Sequence, residues 1–466
     1  MQRVWTWFLK NVALPTGDYL LGQEMIKRLR FLEEAQWWEP ERLRVQRDQS
    51  LNALVETAYR EVPFYRDLMK DSGVTPSSVR RAEDLSKLPV VTKAMLRAGY
   101  PHNTTRNTGQ KTYESSSSGS TGTNFYVRED HETAGWYRAS FMLALTWAGW
   151  EIGEPHMQTG MTLNRDFARR LKDSLLRCRY VSAYELSDLY LDKTLEVLDG
   201  SGIQHLWGYP GSLYSLAQRA LAKGWNRPLK SAVTWGDNLY PRYREVIERA
   251  FKTRVFDTYG CGEGIQVAAQ CGSSHGYHRH SLDVIVEFLD GEGEPVAPGE
   301  LGHLILTRLH PGPMPLIRYQ IGDMGIAGEQ RICECGRGFE LMDSIQGRDT
   351  DIIITPEGNR LIVHFFTGIM EFFPEIASFQ VVQEEVNSMS VRIVPRPDFS
   401  TDTAAAIKSK LIEMGATGIN IQIETVKEIP TAPSGKRRFV ISKITTPFSC
   451  EGTALPECFE STAIKN

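Results

Sequence analysis

Five short stretches of the chain hold residue types suited to a charged ligand. Ser117-Ser118-Gly119-Ser120-Thr121-Gly122-Thr123 offers hydroxyls and backbone N–H groups, with glycines that let a phosphate come close. No lysine follows the second glycine, so this is not a Walker-type loop. A slack linker is the competing reading, and the strand-like Asn124-Phe125-Tyr126-Val127 that follows favours an ordered loop. The stretch from Asp257 to Gly264 ends an apolar run in a glycine turn that projects Tyr259 and Glu263. An aromatic ring can stack on a purine and a carboxylate can hold Mg2+ near phosphates, although a plain strand-to-helix turn would read the same way. Asp323 follows a glycine, where a carboxylate can accept two ribose hydroxyls or merely sit in a turn. Arg348, in Gly347-Arg348-Asp349-Thr350-Asp351, lies at a suspected joint between domains. Lys436 stands on a glycine-containing turn in Pro430–Arg438, where an ordinary solvated lysine is the bland alternative.

A second constellation is thiol-rich. Cys271 is followed by His275, His278 and His280, and Cys333 and Cys335 stand one residue apart further on. Three thiols and one imidazole suit tetrahedral Zn2+ in a closed structural site, whereas free cysteines with surface histidines are the alternative. The spacings are not those of zinc fingers. Seven unevenly spaced cysteines argue against a disulfide framework and for a reducing, cytoplasmic setting.

These residues need a scaffold that converges them. Between about 110 and 345, short apolar runs such as Gln204–Pro210, Ser231–Asp237 and Arg254–Gly260 alternate with helical stretches that begin at Pro210 and Pro241. That alternation predicts a mainly parallel sheet covered by helices. Val284–Leu309 holds two β-type runs around a Gly/Pro-rich turn, which predicts an antiparallel hairpin. Residues 1–100 read as mostly helical, with Pro63 ending or kinking an amphipathic helix. Beyond Arg348 the pattern is strand 379–384, strand 390–395, helix 402–414 and strand 419–426. The expected fold is therefore α/β, in two parts. A large N-terminal α/β domain over 1–349 has mainly parallel sheets plus a β-hairpin region. A small C-terminal α+β domain over 350–445 follows a hinge, and 446–466 form a tail.

The totals exclude several functions. A chain of 466 residues with 41% hydrophobic and 24% charged residues is ordinary for a globular protein of two or three domains. A net charge of −4 gives no general pull toward nucleic acid, and Lys436-Arg437-Arg438 is too short for a nucleic-acid stripe. The N-terminal run is apolar for only about ten residues and is broken by Lys10, short of the roughly 20 needed to span a bilayer. A helix docked on its own domain is expected there, with a membrane-surface helix as the alternative.

In this order and spacing, the five motifs resemble those of the adenylate-forming superfamily of acyl-CoA synthetases, nonribosomal-peptide adenylation domains and luciferases. Val62–Leu68, Leu88–Leu96 and Trp207–Leu213 further resemble the phenylacetate–CoA ligase and CapK-like branch. The resemblance implies that Ser117–Thr123 grips the β- and γ-phosphates of ATP. Gly236, Asp237, Asp257, Thr258 and Tyr259 would line the nucleotide pocket, Glu263 would ligate Mg2+, and Asp323 would bind the ribose. Arg348 would reach ribose or phosphate, Thr350 would be the hinge, and Lys436 the catalytic lysine that the small domain carries in. Trp136, Phe141, Tyr209, Trp235 and Gly260 would wall the acid pocket, although any one of them reads equally as core. The resemblance also selects His278, with Cys271, Cys333 and Cys335, as the Zn2+ ligands. Asn124, where a proline is common, Asp237 in place of Glu, and Thr350 at the hinge depart from the usual patterns.

The implied reaction is ATP-dependent adenylation of an aryl acid, pyrophosphate release and acyl transfer to coenzyme A. Transfer to an amine or hydroxyl without CoA is the rival, and a non-catalytic nucleotide-binding protein is a third reading. The expected partners are a small carboxylic acid and one of these acceptors, with a homodimer possible and no nucleic acid.

Overall fold

The computed structural model describes residues 2–118, 124–160, 164–273, 276–329, 331–348, 351–358, 360–370, 372–430 and 438–444. Helices α1 (Gln2–Phe8), α2 (Leu14–Leu21), α3 (Met25–Ala35), α4 (Pro40–Glu61), α5 (Pro63–Asp71) and α6 (Lys93–Gly99) dominate the first hundred residues. Pro63 stops α4 and opens α5, since a proline lacks the N–H that a helix interior needs but fits the first turn. α5 sends the fully buried Tyr65 into the core, where its hydroxyl donates to the Pro315 carbonyl at 3.1 Å and accepts from Ile317 N at 3.0 Å.

The serine-rich stretch is a strand. β1 (Thr112–Ser118) pairs antiparallel with β2 (Asn124–Asp130), in register from Thr112 opposite Asp130 to Ser118 opposite Asn124. Residues 119–123, which connect them, lie outside the described residues, as do the side chains of Ser117 and Ser118. α7 (His131–Trp147) follows, capped by Asp130, whose carboxylate accepts from Thr133 N at 2.9 Å.

The remaining strands of the large part form one eleven-stranded sheet. They are β3 (His156–Gly160), β4 (Cys178–Ser182), β5 (His205–Gly208), β6 (Ser231–Thr234), β7 (Val255–Cys261), β8 (Ile265–Gln270), β9 (Tyr277–Arg279), β10 (Val284–Leu289), β11 (Leu301–Arg308), β12 (Tyr319–Ala327) and β13 (Leu341–Arg348). Their order is β10-β11-β12-β13-β9-β8-β7-β6-β5-β3-β4. The run from β4 to β7 is parallel. α8 (Phe167–Leu175), α9 (Asp188–Gly200), α10 (Pro210–Ala222) and α11 (Pro241–Phe251) supply its crossovers. β5 and β6 are buried at every residue, as strands covered on both faces must be.

The α/β class holds, and the parallel part is narrower than the sequence suggests. Every pairing from β7 through β8, β9, β13, β12, β11 to β10 is antiparallel. The expected hairpin is β10–β11, with Val284 opposite Arg308, inside this wider antiparallel half. Its strands are joined without helical crossovers, which leaves antiparallel pairing as the available arrangement.

After a short pair, β14 (Ile353–Ile354) with β15 (Arg360–Leu361), and α12 (Val363–Met370), a separate four-stranded sheet forms. β16 (Ile376–Glu385), β17 (Ser388–Pro395), β18 (Asn420–Thr425) and β19 (Val440–Ser442) lie in the order β18-β17-β16-β19. Its core packs Val381, Val391 and Ile393 against Ile407 and Leu411 of α13 (Thr401–Glu413). Tyr240 of the large part joins this core, with its ring 5.1 Å from that of Phe439. Among the described residues, no helix is long and apolar enough to cross a membrane.

Tyr65→Phe would leave the buried Ile317 N–H and the Pro315 carbonyl without their shared partner. The expected loss is about 1–3 kcal/mol of folding stability, read as a lower urea midpoint at an unchanged slope.

Candidate active site

The three parallel strands β5, β6 and β7 present the sequence-selected residues at their C-terminal ends. Tyr209 follows β5, Trp235–Asp237 follow β6, and Tyr259 to Glu263 close β7 and its turn. This is the end of an open parallel sheet at which ligands bind, and here the antiparallel half begins.

The register of β12 against β13 sets Asp323 directly opposite Arg348. Arg348 Nε lies 3.6 Å from Asp323 Oδ1, and the Tyr259 hydroxyl donates to Asp323 Oδ2 at 2.7 Å. An ionised carboxylate has about four acceptor positions, so it retains capacity for further hydroxyl donors. Gly347 has φ +97°, and a Cβ there would meet Asn238 Nδ2 at 2.8 Å, so the loop after β6 closes onto the end of β13.

Glu263 is only 2% exposed. Its Oε1 accepts from the Tyr319 hydroxyl at 2.8 Å and lies 3.5 Å from Lys93 Nζ. Its carbonyl accepts from the buried Arg308, which also holds the Met314 carbonyl at 2.6 Å. The β1–β2 hairpin packs on this turn. Ser115 Oγ donates to Glu129 Oε1 at 2.6 Å and reaches the Gly262 carbonyl at 3.4 Å. Sequence reasoning missed Lys93, Tyr319 and Arg308. Lys93 opens α6 directly after Thr92, whose Oγ1 caps that helix, so the pair reads as an element boundary.

Asp257 and Thr258 turn into the sheet. The Asp257 carboxylate accepts from Thr234 Oγ1 and from the Tyr277 hydroxyl at 2.7 Å, and burial pushes its pKa up to about 6. Thr258 Oγ1 donates to the Thr234 carbonyl at 3.0 Å. These groups brace β6 against β7 beneath the residues that face outward.

Of the expected acid-pocket residues, Phe141 meets Trp235 edge-on at 5.4 Å, and a Cβ on Gly236 would strike the Tyr209 ring at 2.8 Å. Tyr184 stacks near Tyr209 at 6.5 Å. Gly260 lies beside Gln266, whose Oε1 a Cβ would meet at 2.8 Å. Trp136 points elsewhere on α7: it stacks on His310 at 3.7 Å and lies edge-on to Phe31 of α3.

Four side chains assemble a different centre. The ligand atoms of Cys271, His278, Cys333 and Cys335 all lie within 4.8 Å of one another. Cys271 Sγ is 3.7 Å from Cys333 Sγ, and Cys335 Sγ is 3.3 Å from His278 Nε2. His278 Nδ1 donates to the Phe339 carbonyl at 3.2 Å, which fixes the tautomer and aims the Nε2 lone pair at the thiols. Burial lowers the His278 pKa to about 4, so the ring is neutral. Burial opposes ionisation of Cys335, but hydrogen bonds from Arg337 outweigh it and hold the thiol below its ordinary value. Three thiols and a neutral imidazole at this spacing fit a tetrahedral thiophilic ion. His280 stacks on Trp147 instead, and His275 lies outside the described residues.

Comparison with known proteins agrees with this fold. Residues 353–443 match the CapK C-terminal domain family. The chain is 26% identical over 330 residues to a phenylacetate–coenzyme A ligase of Thermus thermophilus, covering 67% of this chain and 72% of that one. It is 24% identical over 269 residues to the CapK protein of Staphylococcus aureus, covering 57% and 58%. A 2-hydroxyisobutyryl-CoA ligase crystallised in its postadenylation state matches the fold with a TM-score of 0.68 at 18% identity, over 85% of this chain and 88% of that one. The chain is thus a homologue of phenylacetate–CoA ligases and of CapK, with a CapK-type C-terminal domain.

Within this ligase the small four-stranded sheet is tied to the site by charge. Arg438 is chelated to Asp351, with Nη2 at 2.5 Å and Nε at 3.0 Å from Oδ1. Asp351 in turn feels the charges of Arg348 and Asp323. Lys436 and Thr350 lie outside the described residues.

Gly264 has φ +73°, and a Cβ there would lie 2.4 Å from Glu129 Oε2. Gly264→Ala is expected to cost about 1–3 kcal/mol through backbone strain and this clash. Adding Glu129→Ala should recover part of the loss in a double-mutant cycle of urea midpoints.

Proposed function

We propose that this ligase activates an organic carboxylic acid, of aryl type, with MgATP. The acid's carboxylate attacks the α-phosphorus, pyrophosphate leaves, and the acyl group passes from the adenylate to the thiol of coenzyme A. The observation that carries this reading is the convergence of Tyr259 and Glu263 at the end of β7 and its turn, Asp323 in the middle of β12 and Arg348 at the end of β13, beside the β1–β2 hairpin. Glu263 suits Mg2+: it is a buried carboxylate on a turn, within 3.5 Å of a lysine that answers the same need for positive charge. Bound Mg2+ would neutralise charge on the phosphates as it builds. Asp323 would take the ribose hydroxyls, with Arg348 already 3.6 Å from its Oδ1. Phe141, Tyr209, Trp235 and Tyr184 offer flat apolar walls suited to an aromatic ring.

Lys436 would supply the mobile cation for the first step. Arg438, two residues further on, is moored to Asp351, and two residues span at most about 7 Å. A lysine so placed can be brought to the phosphates and withdrawn before CoA enters, with Thr350 in the connecting segment as the hinge. Transfer to an amine or hydroxyl without CoA is the second reading. The CapK-type match of residues 353–443 and a fold match to an amide bond synthetase of Marinactinospora thermotolerans (TM-score 0.50, 18% identity, 67% of this chain and 66% of that one) favour it. We further propose that Cys271, His278, Cys333 and Cys335 hold structural Zn2+, joining β9 to the segment before β13.

Carboxylate-dependent exchange of labelled pyrophosphate into ATP tests the first step across a panel of aryl and aliphatic acids. Lys436→Ala should lower the exchange rate by about 10²–10³ while nucleotide binding persists. Exchange at the wild-type rate in that variant, or none with any acid in the intact protein, overturns the reading. CoA-dependent release of AMP separates thioester formation from the second reading. Metal analysis should find about one zinc per chain. Cys333→Ser should lower both zinc content and thermal midpoint, whereas Cys178→Ser should leave zinc content unchanged.

A further inference from the structure

The reaction leaves one surface unexplained. α1, a π-helical turn over Leu9–Ala13 and α2 follow one another without a break from Gln2 to Leu21. Trp5 and Leu9 face inward. Trp5 Nε1 donates to the Leu175 carbonyl of α8 at 3.2 Å, Arg177 lies over the Trp5 ring at 5.5 Å, and Leu9 is fully buried. These contacts set the N-terminal helices beside α8. What both elements turn outward is apolar: Val4 is 71% exposed, Trp7 61%, Tyr19 87%, Leu20 76%, Phe167 81% and Leu171 50%. No residue of α8 is buried, although Phe167 and Leu171 stand one turn apart on one face.

The charge on this surface is predominantly basic. Residues 1–22 contain two basic residues and one acid, and residues 164–177 contain five basic residues and two acids, in a chain whose net charge is −4. The acids are already engaged. Asp18 is buried and accepts from Ile26 N at 2.7 Å. Asp166 caps α8 through Arg169 N at 2.8 Å, and Arg165 grips Asp173 with both Nε, at 2.8 Å, and Nη2, at 2.6 Å. Arg170, and Arg169 in a solvent-exposed 3.6 Å pair with Asp166, lie exposed beside Phe167 and Leu171. Exposed aromatic and aliphatic side chains interleaved with arginines are the composition of an element that lies in a bilayer interface and attracts anionic headgroups. A second protein chain would need acidic side chains to answer the same arginines, and the exposed acid of this face, Asp166, is already paired with Arg169 at 3.6 Å.

We propose that α1, α2 and α8 form one face that seats the protein on the surface of an anionic phospholipid bilayer. Contact is peripheral: Trp7 and Phe167 enter the headgroup region while Arg169 and Arg170 meet lipid phosphates. The full-length protein should cosediment with phosphatidylcholine vesicles in proportion to added phosphatidylglycerol, and salt should weaken the binding. Trp7→Ser with Phe167→Ser should lower vesicle affinity about tenfold or more. Arg169→Gln with Arg170→Gln should lower it on the order of twentyfold and flatten the salt dependence. Both pairs should keep the wild-type thermal midpoint and pyrophosphate-exchange rate. Absence of wild-type binding at every phosphatidylglycerol fraction, or binding that neither pair of substitutions weakens, overturns the proposal. So does a dimer in sedimentation velocity that Trp7→Ser dissociates while vesicles bind nothing, which would assign the face to a second copy.

Discussion

A carboxylate at 2% exposure is the constraint around which the large part is arranged. Burying Glu263 as an anion is costly unless donors and positive charge surround it. Three distant segments meet that need: Lys93 from the start of α6, Tyr319 from β12, and Arg308 from β11, which fixes the peptide carrying it. The glycine after it must adopt a left-handed φ of +73°, and Glu129 of the hairpin fills the space a side chain would take. The helical lead-in, the antiparallel half of the sheet and the serine-rich hairpin therefore all meet at one turn. A site built this way is assembled only when the whole large part is folded, which gives it rigidity that a loop-borne site would lack.

The second cluster answers a different structural need. The antiparallel half of the sheet is tied across β9 and β13 by a two-residue pairing, Leu341 with His278 and Met342 with Tyr277, extended by Arg279 N donating to the Glu340 carbonyl at 2.8 Å. Such a short ladder holds weakly by itself. The cysteines and His278 bring the entry to β9 and the segment before β13 to within ligand distance, next to Trp147 and Phe339. Because Tyr277 also reaches back to Asp257 in the parallel half, this centre is coupled to the strands that brace the candidate site.

The sequence disclosed the site far better than the sheet. Glycine turns and isolated charged residues at strand ends stand out against apolar runs, so Tyr259, Glu263, Asp323 and Arg348 were all visible. The cysteines were visible by type and spacing, whereas His278 was singled out from His275 and His280 only by the family resemblance. What hid was pairing. β8, β9 and β13 are short or interrupted by register shifts, and their apolar residues alternate too irregularly to show direction. Lys93 hid because a threonine–lysine pair before an apolar run is a helix start wherever it occurs, and its 3.5 Å approach to Glu263 joins residues far apart in the chain. Asp257 and Trp136 show the opposite limit. Each stands one or two residues from a group facing the ligand side, and only the backbone's alternation decides that Asp257 braces β6 and that Trp136 stacks on His310.

The charges along the end of β13 alternate: Asp323, Arg348, Asp351, Arg438. Arg348 is 45% exposed and lies 3.6 Å from Asp323, a geometry that in water contributes little net stability. Arg438 is held more firmly, bidentate to an Asp351 whose pKa burial raises above its ordinary value against the pull of that arginine. The firm contact therefore joins two segments of the small part's neighbourhood, while the weak one joins that neighbourhood to Asp323. On the proposed reaction, Lys436 must approach the phosphates in one half and vacate them in the next. A strong contact within the small part and a solvent-screened one at its boundary is the distribution of electrostatic strength that such a proposed motion requires, since the boundary contact then re-forms at small cost.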